Sequence, residues 1–336
     1  MQGTLSRTDL PVYPNNFNLL RFIAAGLVIL SHSFPLTRGN NDTEPLFSLT
    51  GVTFGNLGVY IFFAISGYLI TGSFIASGSI WKYALKRALR IYPALIAAVV
   101  FCIVLGLLVS DVPVSTYIFS KDTLAFWVKN STLLLGLHYH LPGVFVDNPL
   151  PHVVNGSLWT LPEELRMYIG VGVAGLLGLF RRPLIMYLLT AAAITIYPFL
   201  FPRNESIDIL LYFMTGSAFY LSRHVIQYRM VFFFLAIVMI ICSIYFQLPV
   251  PVLTIPLTYC IFYLAFSKNN TVLKFNNYGD YSYGLYIYAF PIQQFLVLQG
   301  FNAPYQLFFL SFLLTLLAAF CSWHLIEKKA LKFKPA

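Results

Sequence analysis

The stretch Asn16 to Pro35 reads NFNLLRFIAAGLVILSHSFP, and it determines how the rest of the chain is interpreted. This apolar run has about the twenty residues that a helix needs to cross a bilayer, yet it contains Arg21 and His32. Eleven residues at about 100° each put both side chains on one helix face, roughly 16 Å apart along the axis. Ionisable groups inside a span usually face a protein interior or a wet cavity, which predicts a functional site. The same pattern would also arise if Arg21 and His32 only extended their polar ends to the two membrane interfaces, without a functional role.

The composition is typical of a polytopic membrane protein. Hydrophobic residues make up 58% of the 336 residues, charged residues only 10%, and the mean hydropathy is +0.75, whereas soluble domains are about 25% charged. In such a chain the basic residues behind the net charge of +9 are expected to collect on one side of the membrane. We therefore expect no nucleic-acid partner. The four cysteines lie in apolar runs without paired spacing, which predicts free thiols and neither disulfides nor a metal site.

Ten apolar runs approach spanning length, at about 17–36, 56–76, 91–109, 160–180, 183–201, 207–222, 229–247, 250–267, 280–299 and 305–326. With the N-terminus in the cytoplasm, 15 of the 21 Lys and Arg fall in cytoplasmic segments and four in outer loops. Because Lys and Arg collect on the cytoplasmic side, the sequence predicts an all-α bundle of about ten transmembrane helices with both termini cytoplasmic. The first run lacks a signal-peptide cleavage site and should remain as a helix. We expect one integral membrane domain over residues 1–336, with its core at 10–336 and no separate soluble domain.

Two connections are more than simple loops. The cytoplasmic segment Ser79 to Ile91 has Lys82, Lys86 and Arg90 on one line with Arg87 beside them, which predicts an amphipathic helix at the inner interface. These charges suit either anchoring to anionic lipid or binding of phosphate by guanidinium groups. On the outer side, 123–137 is apolar but too short and interrupted for a confident span, which favours a re-entrant or surface helix.

Two further motifs contain polar side chains next to or inside predicted spans. Asn155 to Tyr168, NGSLWTLPEELRMY, opens the fourth span. Glu163 suits the positive end of a helix, whereas Glu164 lies deeper and is the better candidate to orient an imidazole or a substrate hydroxyl. The segment Tyr278 to Phe295, YGDYSYGLYIYAFPIQQF, has more tyrosines than an interface belt needs, so some should line a polar cavity. From these two motifs we predict Ser157, Trp159 and Tyr283 as substrate-binding residues.

These stretches resemble the acyltransferase-3 family of integral membrane acyltransferases, whose best-known members O-acetylate bacterial surface polysaccharides. The resemblance runs through LLRFIAAGLVILSHS, GVYIFFAISGYLI, KRALRIYPAL, NGSLWTLPEE, YSYGLYIYAFPI and WHLIEKK, over nearly the whole chain. It implies an acyl group taken from acetyl-CoA on the cytoplasmic side and delivered to a sugar hydroxyl on the outer side. No metal is implied.

The resemblance also implies roles for individual residues. His32 corresponds to the family's catalytic histidine, Arg21 to its partner, and Glu164 to the glutamate after the SLW segment. Lys86, Arg87 and Arg90 fall where the family's basic motif is thought to meet the phosphates of CoA. The chain departs from the pattern in two places: Ala289-Phe290 precedes Pro291 where many members have a histidine, and Glu327-Lys328-Lys329 lacks the family's following proline.

We therefore predict a multi-pass membrane O-acetyltransferase of the bacterial cytoplasmic membrane, in contact with membrane lipid. Its acceptor is a cell-surface glycan or a lipid-linked oligosaccharide, and His32 either deprotonates the acceptor hydroxyl or briefly carries the acetyl group. A transporter or flippase with an Arg, His and Glu path is the main alternative, although the chain has no paired inverted halves. A non-catalytic scaffold would leave the buried charges unexplained. The sequence does not indicate the oligomeric state.

Overall fold

The structure is a computed structural model, and it describes residues 15–267 and 274–335. Over these residues the chain is helical and contains no β-strand. The all-α fold class predicted from the apolar runs is therefore confirmed. Arg7 and Lys268, two of the charges counted for the membrane topology, lie outside the described residues.

The α-helices of the described chain, numbered in order, are α1 (Phe17–Arg38), α2 (Pro45–Thr50), α3 (Phe54–Ser77), α4 (Ile80–Val109), α5 (Val114–Ile118), α6 (Lys121–Thr132), α7 (Thr160–Leu176), α8 (Pro183–Leu200), α9 (Glu205–Leu221), α10 (Met230–Tyr245), α11 (Thr254–Ala265), α12 (Ser282–Leu298), α13 (Pro304–Ser322) and α14 (Lys328–Ala330). A 3₁₀ turn, Gly156–Trp159, leads into α7, and a π turn, Trp323–Glu327, joins α13 to α14.

Each of the ten predicted spans coincides with a helix in the described part of the chain. Five of these helices are long and apolar enough to cross a membrane: α1, α3, α4, α8 and α13 with the turns that follow it. The other five have between 12 and 17 residues. Large apolar side chains such as Leu188 and Phe199 are exposed, as expected on helix faces that meet lipid rather than water.

The predicted interface helix and the span that follows it form one continuous helix, α4. It runs through Pro93 without interruption. A proline removes one backbone hydrogen bond, but the sequence has no glycine between Ile80 and Cys102 that would end the helix. The basic residues Lys86, Arg87 and Arg90 are therefore carried by the same rigid element as the apolar span.

The longest connection contains α6, which has 12 residues and is too short to span a bilayer. The helix begins after Ser120, whose Oγ accepts the backbone N–H of Thr123 at 2.9 Å. It ends at Leu133, which adopts the left-handed conformation with φ of 61°. Leu124 and Trp127 are exposed on its surface, as a surface or re-entrant helix would place them.

The chain divides into two compact units. Among the described residues, the first comprises 15–20, 63–83, 171–267 and 274–278. In this unit α3 and α9 approach closely at glycines: the Gly67 backbone meets the carbonyl of Phe213, and the Gly216 backbone meets that of Ala64. Such contacts are typical of small residues at helix interfaces in membranes.

The second unit comprises Arg21–Phe62, Ala84–Gly170 and Gly279–Ala336. Its central element is α12, in which every side chain except Phe295 and Leu298 is buried. An apolar cluster joins α12 to α1 and α13, and it is formed by Ala25, Ile29, Leu285, Ala289 and Ala319. A helix surrounded on all sides can place polar groups away from lipid, so α12 is suited to line a site.

We predict that Gly67→Ala or Gly216→Ala lowers the free energy of unfolding by about 1–3 kcal/mol, because a methyl group would displace the backbone of the facing helix. Gly170→Ala is the matched control, since a Cβ there would have no heavy atom within 4 Å and alanine favours a helix by up to about 1 kcal/mol. Thermal unfolding in detergent micelles measures the difference. Equal effects at the three positions would contradict the close approach of α3 and α9.

Candidate active site

Polar side chains of the second unit follow α12 along its length, contributed by α1, α4 and α7. Near the start of α12, Arg21 of α1 pairs with Asp280, and further along, Gln293 Nε2 donates to Ile29 O at 2.9 Å. Helices α1 and α12 therefore run in the same direction. Because Tyr286 of α12 contacts Thr160 and Phe290 contacts Gly156, α7 runs in the opposite direction. These directions agree with those expected for the first, fourth and ninth of ten alternating spans.

The centre of the network is Asp280, the residue two before α12. Its Oδ2 accepts from Arg21 Nη1 at 2.8 Å and from Arg90 Nη2 at 2.5 Å. Its Oδ1 accepts from the hydroxyl of Ser282 at 2.5 Å. The side chains of both arginines and of Asp280 are no more than 20% exposed. One carboxylate thus joins α1 and α4 to the start of α12.

A second carboxylate on the same side belongs to Glu327, in the π turn after α13. Its side chain is only 3% exposed and lies 3.8 Å from Arg90 Nη1. Ser322 Oγ donates to the other carboxylate oxygen at 3.0 Å. Arg90 is therefore held between two acidic groups, and a buried charge needs such partners.

Glu164 lies on the Arg90 side of the site. It accepts a hydrogen bond from Tyr168 one turn further along α7, and its charge acts on Arg90 and on Tyr283. Tyr283 donates to Ile91 O at 3.0 Å, and the Arg90 guanidinium lies 5.8 Å from its ring centroid. Glu164 therefore belongs to the charge network, and its role in orienting an imidazole or a substrate hydroxyl stays a prediction.

Further along α12 the polar contacts become neutral. Tyr286 and Thr160 share a hydrogen bond of 2.7 Å between their hydroxyl groups. At the next residue of α12, Asn155 Nδ2 donates to Ile287 O at 2.9 Å. The line of polar side chains thus continues from the arginines toward the far end of α12, through Glu164, Thr160 and Asn155.

His32 lies at that far end. Its ring packs edge-on against Phe290, with the two ring centroids 5.2 Å apart. Gly156 also approaches the Phe290 ring, closely enough that a Cβ would lie 2.6 Å from Cε2. Within the described residues His32 Nδ1 and Ser157 Oγ are buried without a hydrogen-bond partner. This end therefore retains unused hydrogen-bonding capacity beside an imidazole.

The sequence predictions missed three residues that the structure places in the site, namely Asp280, Glu327 and Gln293. Asp280 and Glu327 carried a usable signal, because each is an acidic residue at the end of an apolar run. Gln293 carried none, since its amide binds Ile29 O and Ser33 Oγ across two helices. Only the fold shows that arrangement.

Lys334 is a further residue that the sequence did not single out from its neighbours. Lys328, Lys329 and Lys332 are exposed, as anchoring charges would be, whereas Lys334 is partly buried. Burial, followed by the nearby charges of Arg87, Arg90 and Lys86, lowers the pKa of the Lys334 amine to about 8. Basic groups from α4 and from the end of the chain therefore crowd together outside the apolar span.

Comparison with known proteins agrees with this arrangement. A family model described as an acyltransferase domain matches residues 15–326. The chain belongs to the acyltransferase-3 family. This acyltransferase-3 protein is 30% identical over 334 residues to an O-acetyl transferase of Shigella phage Sf6, covering 94% of this chain and 96% of the relative. It is also 31% identical over 181 residues to nodulation protein 10 of Rhizobium leguminosarum bv. viciae, covering 50% of this chain and 45% of that protein.

No solved structure matches the chain. The family assignment and the five long apolar helices together make this protein an integral membrane acyltransferase. The enzyme class predicted from the sequence is therefore confirmed.

We predict that Asp280→Asn lowers the free energy of unfolding by about 3–5 kcal/mol, because it leaves two poorly exposed arginines without their shared counter-ion. Asp122→Asn is the control, since the Asp122 side chain is 62% exposed and an exposed ion pair is worth about 1 kcal/mol or less. Thermal unfolding in detergent compares the two variants. Similar small losses in both would show that Asp280 does not hold the arginines together.

Proposed function

We propose that this protein transfers an acetyl group from acetyl-CoA to a hydroxyl of a glycan, either a cell-surface glycan or a lipid-linked oligosaccharide. The observation that carries the proposal is the line of polar side chains that joins the Arg90 network to His32. The name of the Shigella phage Sf6 relative, an O-acetyl transferase, supports acetyl as the group transferred. The membrane is proposed to be the bacterial cytoplasmic membrane, with the Arg90 end toward the cytoplasm.

The donor's phosphates would bind at the basic end. Lys86, Arg87 and Lys334 crowd there, and Arg90 adds positive charge although it already has two carboxylate partners. Phosphates are well matched to guanidinium and ammonium groups. The surplus of basic over acidic groups at this end supports the binding of an anionic ligand. The phosphate of a membrane lipid could bind to the same groups.

The acyl end of the donor would extend along α12 toward His32. Arg21 and His32 are separated by eleven residues of α1, roughly 16 Å, and Glu164, Tyr283 and Tyr286 lie between these two levels. Arg21 and Glu164 then support the reaction by fixing the charges of the network. Tyr283 would contact the donor arm, while Ser157 and Trp159 would contact the acceptor.

At His32 the neutral imidazole would act as general base. It takes the proton from the acceptor hydroxyl as the hydroxyl oxygen attacks the thioester carbonyl carbon. A new C–O bond forms, the C–S bond breaks, and the proton passes from the imidazolium to the departing CoA thiolate. In the alternative route, the imidazole itself first takes the acetyl group with loss of CoA and then passes it to the hydroxyl.

We expect His32→Ala to lose at least about a hundredfold in acetyl transfer, the lower range for removal of a general base. The measurement incubates the purified protein in liposomes with radiolabelled acetyl-CoA and a glycan-containing membrane extract. His224→Ala, at an exposed loop histidine, should transfer at the wild-type rate. Wild-type transfer by the His32→Ala protein would exclude the imidazole from the reaction.

The binding of acetyl-CoA should weaken as the pH rises from 7 to 9. Because the pKa of Lys334 is about 8, its positive charge is present at pH 7 and is lost as the pH rises through that value. Loss of one phosphate-facing charge should lower the affinity by about fivefold, which corresponds to roughly 1 kcal/mol. Calorimetric titration in the His32→Ala background, where turnover is prevented, measures the effect.

Lys334→Arg should flatten this pH dependence, because a guanidinium group stays charged over the whole range from pH 7 to 9. Lys332→Arg is the matched control at an exposed lysine of the same segment, and it should keep the wild-type profile. A profile that is unchanged in Lys334→Arg would assign the pH dependence to another group and remove Lys334 from the donor site.

A further inference from the structure

A groove of about 320 Å³ lies beside the start of α7 in the second unit. One wall is the segment after α6, which contributes Leu134 and Tyr139, and the other is α7 with the turn before it, which contributes Trp159, Arg166 and Ile169. From Trp159 to Ile169 the wall extends about 15 Å along the chain. None of these lining residues takes part in the Arg90 network described above.

The groove is held open by hydrogen bonds in its own walls. Asn130 of α6 donates through Nδ2 to His138 O at 2.7 Å and accepts the backbone N–H of His138 at 2.9 Å. The backbone N–H of Val154 donates to Tyr139 O at 2.9 Å. Both ends of the loop wall are therefore fixed, and a largely preformed cavity is what ligand sites usually have.

A short turn of the chain connects the groove to the residues around His32. The 3₁₀ turn Gly156–Trp159 places Gly156 against the Phe290 ring, which packs on His32, and places Trp159 in the groove. At about 2 Å per residue, this turn is about 6 Å long. A ligand that fills the groove therefore ends within one short turn of the residues around the imidazole.

The lining changes in character along the groove. Nearest the turn are the ring of Trp159 and, across from it, Tyr139, with the ion pair of Glu163 and Arg166 in the same wall. Aromatic faces combined with a few polar groups suit a sugar ring, which has apolar C–H faces and hydroxyl edges. This part of the groove is unlike a purely lipid-facing surface.

The far part of the groove is apolar and open. Leu134 is 70% exposed and Ile169 is 57% exposed, and Leu165 lies between Trp159 and Ile169 on the same wall. Apart from the Glu163 and Arg166 pair, the lining of this part is apolar and includes Leu133, Leu137 and Leu165. An unanchored, water-soluble polysaccharide would gain nothing from that surface, whereas a lipid tail would bury it.

We propose that this groove binds the acceptor as a saccharide carried on a membrane lipid, with the sugar between Tyr139 and Trp159 and the lipid along Leu134 and Ile169. The inference rests on the proposed acetyl transfer, and it narrows the acceptor from glycans in general to membrane-anchored saccharides.

The test uses membrane vesicles containing the full chain, radiolabelled acetyl-CoA, and separation of products into an organic-solvent extract and a water-soluble fraction. The expected result is alkali-labile label in the organic extract, with mild acid releasing it in water-soluble form as the saccharide leaves its lipid. Trp159→Ala combined with Tyr139→Ala should reduce this label by about tenfold or more, as for truncated aromatic anchors, without changing the KM for acetyl-CoA. Trp159→Phe should restore most of the transfer.

Trp127→Ala is the matched control, because Trp127 is a partly exposed tryptophan of α6 that does not line the groove. Wild-type label found only in water-soluble or polymeric glycan would overturn the groove assignment and leave the acetyl transfer standing. Full transfer by the double variant would also overturn it. No transfer of label from acetyl-CoA by the wild-type protein would overturn the proposed function itself, and the groove assignment with it.

Discussion

The carboxylate of Asp280 is the group on which the described site depends. It accepts from Arg21 of α1 and Arg90 of α4 at distances of 2.8 and 2.5 Å. A guanidinium group away from water is tolerated only when its charge is compensated nearby. The two arginines come from separate helices, and Asp280 precedes a third. The Asp280 carboxylate therefore also holds these three helices together at the same height in the bundle.

The two ends of α12 differ in how completely their polar groups are paired. At the Arg90 end, both carboxylate oxygens of Asp280 accept hydrogen bonds, and Glu327 accepts one from Ser322, while its other oxygen lies 3.8 Å from Arg90 Nη1 without a hydrogen bond. At the His32 end, His32 Nδ1, Ser157 Oγ and Gln293 Oε1 are buried and without partners among the residues the structure describes. A paired network gives rigidity, whereas unpaired groups in a buried place are expected where a ligand completes them. The larger number of unpaired groups at the His32 end supports the proposal that the chemistry takes place there.

The sequence predicted the helices well because their signal is local. A run of apolar residues near spanning length determines where a membrane helix lies, and each of the ten expected spans has its helix. The continuity of α4 from the interface segment into the span was not predictable in the same way. A proline such as Pro93 can either end a helix or be accommodated within it.

The candidate site was predicted only in part. Arg21 and His32 were found from their spacing on one helix, and Glu164 from its charge inside a span, because these signals lie within a single element. The pairing of Arg21 with Asp280 joins residues 259 positions apart, and nothing in the local sequence specifies it. For the same reason the partners of Glu164 were not predictable: it accepts a hydrogen bond from Tyr168, and its charge acts on Arg90 and Tyr283. The periodicity of the sequence does not reveal which side chains tertiary packing brings together.

The π turn Trp323–Glu327 restrains the number of residues that this part of the chain can contain. A π turn accommodates one more residue than an α-helical turn, and this one ends at Glu327, whose carboxylate lies beside Arg90 and accepts from Ser322. Removing one residue from the turn would rotate the following side chains by about 100° around the helix axis and carry the carboxylate away from both partners. Insertions and deletions between Ser322 and Glu327 should therefore be rare as related chains diverge.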